Sequence, residues 1–171
     1  SWFTGVILLW LVYAAGINGY MLPWDQLAQF TVIATAEWFD WLPMFKGTLI
    51  RNFIFADSVN DRLFSLLSFI HIGIPLGVLA LLWIHTQRVP HARTNPPRPI
   101  ATTLVVALVV LSLIKPALSG AHADLGAAVT TINFDWFYMP VYALIYRWNP
   151  GAVWLLMGGA TALFLLLPWL P

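Results

Sequence analysis

Four stretches of the chain contain no Asp, Glu, Lys or Arg, and their lengths are the first guide to its structure. They cover residues 1–24, 63–87, 99–114 and 148–171. A helix needs about 20 apolar residues to cross the hydrocarbon core of a bilayer. Only helices and closed barrels satisfy every backbone polar group there. The pattern therefore predicts four transmembrane helices, and we expect Lys115 to snorkel and extend the third to about Leu118.

The charged residues between these spans are unevenly distributed. The loop 86–98 contains three arginines and no acid, whereas all seven acidic residues lie in the loops 25–62 and 115–147. Because Lys and Arg concentrate in cytoplasmic loops, we expect the arginine loop on the cytoplasmic side and the two acidic loops opposite. The acidic loops are partly apolar, and the segment 30–54 predicts short amphipathic helices that lie in the membrane interface.

Composition excludes several other classes of protein. Of the 171 residues, 60% are hydrophobic and only 9% are charged, against roughly 25% charged in an ordinary soluble domain. The chain contains no cysteine, which excludes a disulfide scaffold, cysteine-ligated metal and thiol catalysis within it. A net charge of +1 gives no electrostatic basis for binding nucleic acid.

Two histidines, His71 and His85, lie within the second predicted span. Their separation of 14 residues brings them within about 40° of each other around a helix and about 21 Å apart along its axis. An ionisable residue inside a membrane helix indicates a functional site. Two groups on one face at different depths suit two stacked prosthetic groups, because the ligands of a single metal ion must converge on one point.

Haem is the group that best fits this pair. Imidazole is a common axial ligand of haem iron, so we expect His71 and His85 each to bind the iron of one haem. If each iron takes two histidines, the second must come from elsewhere, because His91 and His122 lie in predicted loops. The alternative is that each imidazole only hydrogen-bonds a neighbouring helix.

Four short motifs follow one another along the chain. The first span ends in G-Y-M-L-P-W-D-Q, similar to the pattern G-Y-x-L-P-W-[GD]-Q. The histidine pair follows, with a proline four residues after the first histidine, and then T-N-P-P, similar to S-N-N-P. The segment 134–147, F-D-W-F-Y-M-P-V-Y-A-L-I-Y-R, is similar to P-E-W-Y-F-L-P-x-Y-A-I-L-R. In this order and spacing the chain resembles cytochrome b of the quinol–cytochrome c oxidoreductases, the cytochrome bc complexes.

The resemblance implies an all-α fold, an integral membrane fragment that comprises the third to sixth helices of the cytochrome b bundle, with interfacial helices in its loops. Residues 1–99 would form the C-terminal half of the haem-binding region, and residues 100–171 the start of the C-terminal region. The chain would then be part of a longer polypeptide. The other axial histidines would lie in helices outside this sequence.

The function implied by the resemblance is that of an electron-transfer subunit in an energy-transducing membrane. It would bind two b-type haems, with His71 on the low-potential haem and His85 on the high-potential haem, and would oxidise quinol on the acidic-loop side. Its partners would be the remaining cytochrome b helices, a Rieske-type iron–sulfur protein or a c-type cytochrome, in a dimeric complex.

The segment that resembles the quinol site departs from the family at three positions. Asp135 replaces Glu, Phe134 replaces Pro and Phe137 replaces Tyr. A carboxylate at the rim of an apolar pocket can accept a proton from quinol, so Asp135 is the candidate acceptor and Asp25 its rival. The alternatives are that Asp135 caps the following interfacial helix and that Asp25 is an acid at the edge of a loop.

The resemblance also suggests which residues contact the cofactors. The candidates for lining a quinol pocket are Phe30, Ile33, Phe134, Trp136 and Tyr138. Gly19 is a further candidate for cofactor binding, and Arg51 is either an interfacial residue or a partner of a haem propionate. Interfacial anchoring is the alternative explanation for most of the tryptophans.

Two other functions remain open at this stage. A di-haem anchor could exchange electrons between quinone and another oxidoreductase without splitting the two electrons of quinol. A transporter or a purely structural membrane subunit would bind no haem, and it gives no reason for two histidines on one helix face.

Overall fold

The computed structural model describes residues 1–54, 61–91, 93–133 and 135–170, and these ranges are almost entirely helical or loop. The α-helices are α1 (Trp2–Met21), α2 (Gln26–Asp40), α3 (Thr48–Phe53), α4 (Asp61–Gln87), α5 (Arg98–Ile114), α6 (Pro140–Arg147) and α7 (Pro150–Leu166). A 3₁₀ turn, Leu167–Trp169, follows α7. Within the described ranges, the only β-type pairing is an isolated bridge between Asp25 and His122.

Three of these elements are long and apolar enough to cross a membrane. They are α1 with 20 residues, α4 with 27, and α7 together with its 3₁₀ turn, also with 20. The fourth, α5, is apolar but has only 17 residues, which corresponds to about 26 Å of helix. The predicted all-α membrane bundle is therefore confirmed, but only three of the four predicted spans are long enough to cross a membrane by themselves.

The predicted extension of α5 to Leu118 is wrong. The helix ends at Ile114, and Lys115 has left the helical conformation, with φ −135° and ψ 79°. The residue that follows Lys115 is Pro116. A proline ring clashes with the helical conformation of the residue before it, so the backbone turns away at this point whatever the lysine side chain does.

The two acidic loops contain the short helices that their apolar segments predict. The first loop forms α2 and α3, and the second forms α6. The Asp25 side chain accepts a hydrogen bond from the backbone N–H of Ala28 and so caps the start of α2. Gly47 precedes α3 in the left-handed conformation, with φ 78°, which a glycine adopts without strain.

The helices pack around α1. It runs antiparallel to α4, since Gly5 lies beside His85 and Gly19 beside His71. It also contacts α2 and α7, while α6 packs against both α2 and α7. The most completely buried large side chains are Tyr142, Met139, Val153 and Thr31. The core therefore lies where the acidic loops cover the ends of the membrane helices.

The outer faces of α4 and α5 are apolar and exposed. No residue of α5 is buried, and in α4 only Leu63 and Leu67 are buried. Lipid tails solvate such side chains as well as a protein core does. These faces therefore need no covering by the rest of this chain in a membrane.

Candidate functional site

At the arginine-loop end of the α1–α4 interface, His85 is hydrogen-bonded to Thr4. Its Nδ1 lies 2.8 Å from the Thr4 Oγ1, and the same hydroxyl donates to the backbone carbonyl of Ser1 at 2.7 Å. A hydroxyl has one proton and two lone pairs. Since that proton goes to Ser1, the Thr4 oxygen accepts the Nδ1–H of His85. This leaves the lone pair on Nε2, the atom that a haem iron would bind.

At the acidic-loop end of the same interface, His71 packs against Gly19. A Cβ atom at Gly19 would lie 3.2 Å from the imidazole Cε1, and one at Gly5 would lie 3.4 Å from the Cε1 of His85. The Nδ1 of His71 is buried and has no hydrogen-bond partner among the described residues. Each imidazole therefore lies over a glycine of α1. The two glycines are 14 positions apart in the sequence, and so are the two histidines.

These surroundings fit a prosthetic group that takes one imidazole per iron from this chain. In the part of the chain that the structure describes, no three His, Asp or Glu side chains converge to hold a metal ion. No described residue hydrogen-bonds the Nε2 of His85, and a cavity of about 500 Å³ opens beside the imidazole, lined mostly by apolar side chains of α1 together with Phe164 and Val89. An axial haem ligand needs such an apolar opening beside the imidazole.

Asp135 connects the second acidic loop to the end of α1. Its Oδ2 accepts the Tyr20 hydroxyl at 2.8 Å, and its Oδ1 accepts the backbone N–H groups of Phe137 and Tyr138 at 2.7 and 2.5 Å. Partial burial raises the pKa of this carboxyl. The hydrogen bonds from Tyr138, Tyr20, Phe137 and Met139 outweigh that effect and hold its pKa below the usual value of 3.8. Asp135 is therefore an ionised carboxylate at neutral pH.

The possibility that Asp135 caps the following helix is not what the structure has. The helix α6 begins at Pro140, its N-cap is Met139, and no side chain caps it. The carboxylate instead closes the turn 135–138, which ends before α6 begins.

Tyr138 anchors that turn on α1. Its ring covers Gly16 so closely that a Cβ atom there would overlap it. The Tyr13 hydroxyl donates to the Tyr138 carbonyl at 2.9 Å, and the rings of Tyr13 and Tyr20 lie 5.5 and 5.8 Å from the Tyr138 ring. Trp136 lies two residues before Tyr138 in the same turn, and its side chain is 86% exposed.

An apolar cavity of about 450 Å³ lies between α1, α2 and α4. Tyr13, Thr35, Trp38 and Tyr142 line it, and the hydroxyls of Thr35 and Tyr142 are hydrogen-bonded at 2.8 Å. Asn18 also lines it, and two buried polar atoms on this lining, Asn18 Oδ1 and Trp38 Nε1, have no hydrogen-bond partner among the described residues. The cavity can therefore hold a flat apolar ring with a polar edge.

The residues that the sequence suggests for a quinol pocket are not brought together. Phe30 and Ile33 line a different cavity, of about 530 Å³, beside Tyr146 and the segment 125–129. Tyr138 packs on α1 and Trp136 is exposed. Phe134 lies outside the described residues.

Asp25 is occupied by structural hydrogen bonds. It is 8% exposed, its Oδ1 accepts the Ala28 N–H at 2.9 Å, and its Oδ2 accepts the Gly120 N–H at 2.8 Å. It thus caps α2 and fastens the segment 120–123, which also pairs with Trp24 and Gln26 through the backbone. Arg51 is exposed on α3.

Three residues that sequence reasoning did not single out prove central to these contacts. Thr4 and Asn18 flank the two glycines under the histidines, and Tyr20 donates to Asp135. The signal for the first two was present in the sequence, because Thr4-Gly5 and Asn18-Gly19 are 14 residues apart, as are the two histidines. Finding it required the antiparallel pairing of α1 and α4.

Comparison with known proteins agrees with the motifs. The family model described as Cytochrome b(N-terminal)/b6/petB matches residues 1–140. Cytochrome b of Eptatretus burgeri is 28% identical over 97 residues, which are 57% of this chain and 25% of that relative. The matched region thus spans about a quarter of the relative's length. No solved structure matches this chain.

Proposed function

Because this chain belongs to the cytochrome b (N-terminal)/b6 family, we propose that it is part of the electron-transfer subunit of a membrane complex of the cytochrome bc type. His71 and His85 would each hold one b-type haem through an imidazole nitrogen. The single observation that carries the proposal is the placement of the two imidazoles at two levels of one membrane helix, each over a glycine of α1.

The chain's own residues bind and orient these groups. A bound haem supplies reversible one-electron transfer. Gly19 keeps the His71 imidazole close to α1, because a Cβ atom there would lie only 3.2 Å from the ring, whereas a Cβ atom at Gly5 would make an ordinary contact of 3.4 Å with His85. Thr4 holds the Nδ1 proton of His85 and leaves Nε2 available to iron.

We further propose that quinol is oxidised at the acidic-loop end, with Asp135 as the proton acceptor. Asp135 is ionised at neutral pH, so it can accept a proton from a quinol hydroxyl. It is also a weak base, so it releases that proton readily toward the aqueous side. The apolar cavity between α1, α2 and α4 supports this proposal, because it offers space for a quinone ring near this end.

Asp25 is the weaker candidate for this role. Its two oxygens cap α2 and hold Gly120. Asp25 is also buried, at 8% exposed, whereas Asp135 is partly exposed and so is easier for a quinol hydroxyl to reach. The proposal therefore assigns proton transfer to Asp135 and a structural role to Asp25.

A second candidate function is a di-haem quinone-reactive anchor that does not split the electrons of quinol. It is favoured by the separation of the expected pocket residues, with Phe30 and Ile33 in one place and Trp136 exposed in another. This candidate keeps both haem ligands and removes the need for Asp135 as a base. Family membership argues against the third possibility, a transporter or a structural subunit without haem.

The proposal is tested on the complex purified from membranes. Adding quinol to the oxidised complex should produce the difference spectrum of reduced b-type haem. A complex that contains this chain but shows no haem absorbance would contradict the proposal. If haem is present but quinol does not reduce it, the quinol part alone is wrong.

A further inference from the structure

We propose that Thr4 and Asn18 are positioning residues that fix the iron-binding form of the two histidines, Thr4 for His85 and Asn18 for His71. The idea rests on the proposed function, in which these histidines bind haem iron. Each residue accepts the Nδ1–H of the imidazole opposite, and this acceptance keeps the lone pair on Nε2.

The Thr4–His85 contact supplies the pattern. The Thr4 hydroxyl donates its hydrogen bond to the Ser1 carbonyl at 2.7 Å. In the 2.8 Å contact between Thr4 and His85 Nδ1, the imidazole is therefore the donor. Thr4 itself is 7% exposed. The imidazole therefore has one buried acceptor for Nδ1–H, and its tautomer is fixed before any iron binds.

A 14-residue repeat transfers this pattern to the other level. Thr4-Gly5 and Asn18-Gly19 are separated by 14 residues on α1, and His71 and His85 by 14 on α4. Fourteen residues are close to four helical turns, and the two helices are antiparallel. Asn18 therefore lies opposite His71 as Thr4 lies opposite His85. Each precedes the glycine that the imidazole covers.

The polar atoms at the His71 level are complementary and unpaired. Asn18 is 6% exposed and its Oδ1 has no hydrogen bond, and the Nδ1 of His71 is likewise buried without a partner among the described residues. Leaving such atoms unpaired is destabilising. Turning the Asn18 amide so that Oδ1 accepts the Nδ1–H of His71 satisfies both atoms with one contact.

This contact has a consequence that can be measured. An acceptor on Nδ1 makes the imidazole a stronger electron donor to the iron. Stronger donation favours the oxidised iron, so loss of the acceptor raises the midpoint potential of that haem. Loss of an outer partner of this kind also weakens metal binding by about 10- to 100-fold.

The test is a redox titration of the complex carrying Asn18→Leu, which keeps the size of the side chain and removes the acceptor. We expect the potential of one haem to rise, with the other unchanged, and that haem to be lost at least about tenfold faster in detergent. Asn18→Thr places a hydroxyl as at Thr4 and should restore the potential. Thr4→Val should raise the potential of the other haem, and Thr4→Ser should not.

The matched control is Thr161→Val, the same change in α7, where the hydroxyl donates to the Met157 carbonyl one turn earlier in its own helix. It should leave both potentials unchanged. The proposal is overturned if Asn18→Leu leaves both potentials unchanged, or if Asn18→Thr moves the potential as far as Asn18→Leu does. A wild-type complex with no haem would instead overturn the proposed function.

Discussion

The two ends of the α1–α4 pair are built differently, although each carries one histidine over one glycine. At the acidic-loop end, α2, α6 and the first turns of α4 and α7 surround the end of α1 and bury residues such as Met139 and Tyr142. At the arginine-loop end, the buried residues of the described chain are Thr4 and Val6. The acidic-loop end is thus packed by this chain, whereas the other end presents apolar surface.

This difference distinguishes what is needed to offer a ligand to haem iron from what the surrounding packing adds. Both ends can offer an imidazole to iron, because that requires only a histidine on α4 and a small residue on α1. Each end has a cavity lined mostly by apolar side chains, but among the described residues only the acidic-loop end adds an ionised carboxylate and a large buried core. Our proposal therefore assigns quinol oxidation to the acidic-loop end, and the four predictions that follow test this contrast.

The largest effect is expected from Asp135→Asn. Asparagine can still accept backbone N–H groups and close the turn 135–138, but it cannot accept a proton from quinol. We expect quinol oxidation to slow by about 10²- to 10⁴-fold, as for loss of a general base. Stopped-flow reduction of the complex by quinol measures the rate.

Asp25→Asn is the matched variant for this prediction. Asparagine caps helices as well as aspartate does and loses only the contact with the Gly120 N–H, so we expect this variant to slow the reaction far less than Asp135→Asn does. If Asp25→Asn slows the reaction more than Asp135→Asn does, the assignment of the proton acceptor is reversed. If neither variant slows it, the anchor function is favoured.

A smaller effect is expected from Gln29→Leu, which removes the clamp that holds the acidic-loop end together. The Gln29 amide donates to the carbonyls of Asp124 and Ala127 at 2.8 and 3.0 Å and accepts the Asp124 N–H at 2.8 Å. At about 1 kcal/mol for each hydrogen bond, the loss is about 3 kcal/mol. Thermal unfolding in detergent measures it, together with proteolysis near residues 124–128.

The control for that prediction is a polar residue on the lipid-facing surface. The Ser112 hydroxyl in α5 donates to the Leu108 carbonyl of its own helix. Ser112→Ala should change stability by less than about 0.5 kcal/mol. Equal losses in both variants would mean that the acidic-loop end gains nothing from its polar clamp.

A still smaller effect distinguishes the two glycines. A Cβ atom at Gly19 would lie 3.2 Å from the His71 ring, closer than an ordinary contact, whereas at Gly5 the distance of 3.4 Å is ordinary. Replacing a helical glycine by alanine gains about 1 kcal/mol of helix stability. Gly5→Ala should therefore be neutral or stabilising, and Gly19→Ala should alter the spectrum of one haem. Identical spectra for both variants would contradict the difference.

The smallest effect is expected from Trp136→Leu. The ring is 86% exposed and makes its described aromatic contact with Phe137 alone. Stability should change by less than about 0.5 kcal/mol, and the rate of quinol oxidation should stay within twofold of wild type. A tenfold fall in rate would mean that Trp136 lines the quinol pocket after all.

The helices could largely be predicted from the sequence because each depends on local properties. Long stretches without charged residues predicted α1, α4 and α7, and apolar segments within the acidic loops predicted α2 and α6. The end of α5 was misjudged because a single proline, Pro116, outweighs the apolar run before it.

The site could be predicted only where one helix determines it. The spacing of His71 and His85 depends on α4 alone, and both face α1 as one helix face requires. The bond from Tyr20 to Asp135 joins residues 115 positions apart. The hydrogen bond from the Gly120 N–H to Asp25 joins residues 95 positions apart. Pairings of this length follow from packing, which no periodicity along the chain encodes.

The central claim, that His71 and His85 each hold one haem, is tested most directly by counting haem. The complex is purified with His71→Leu, with His85→Leu and with both, and haem is quantified per complex, with the exposed loop variant His122→Leu as control. We predict that each single variant lacks one of the two b-type haems, that the double variant lacks both, and that the control keeps both. Retention of both haems in the double variant would contradict the claim.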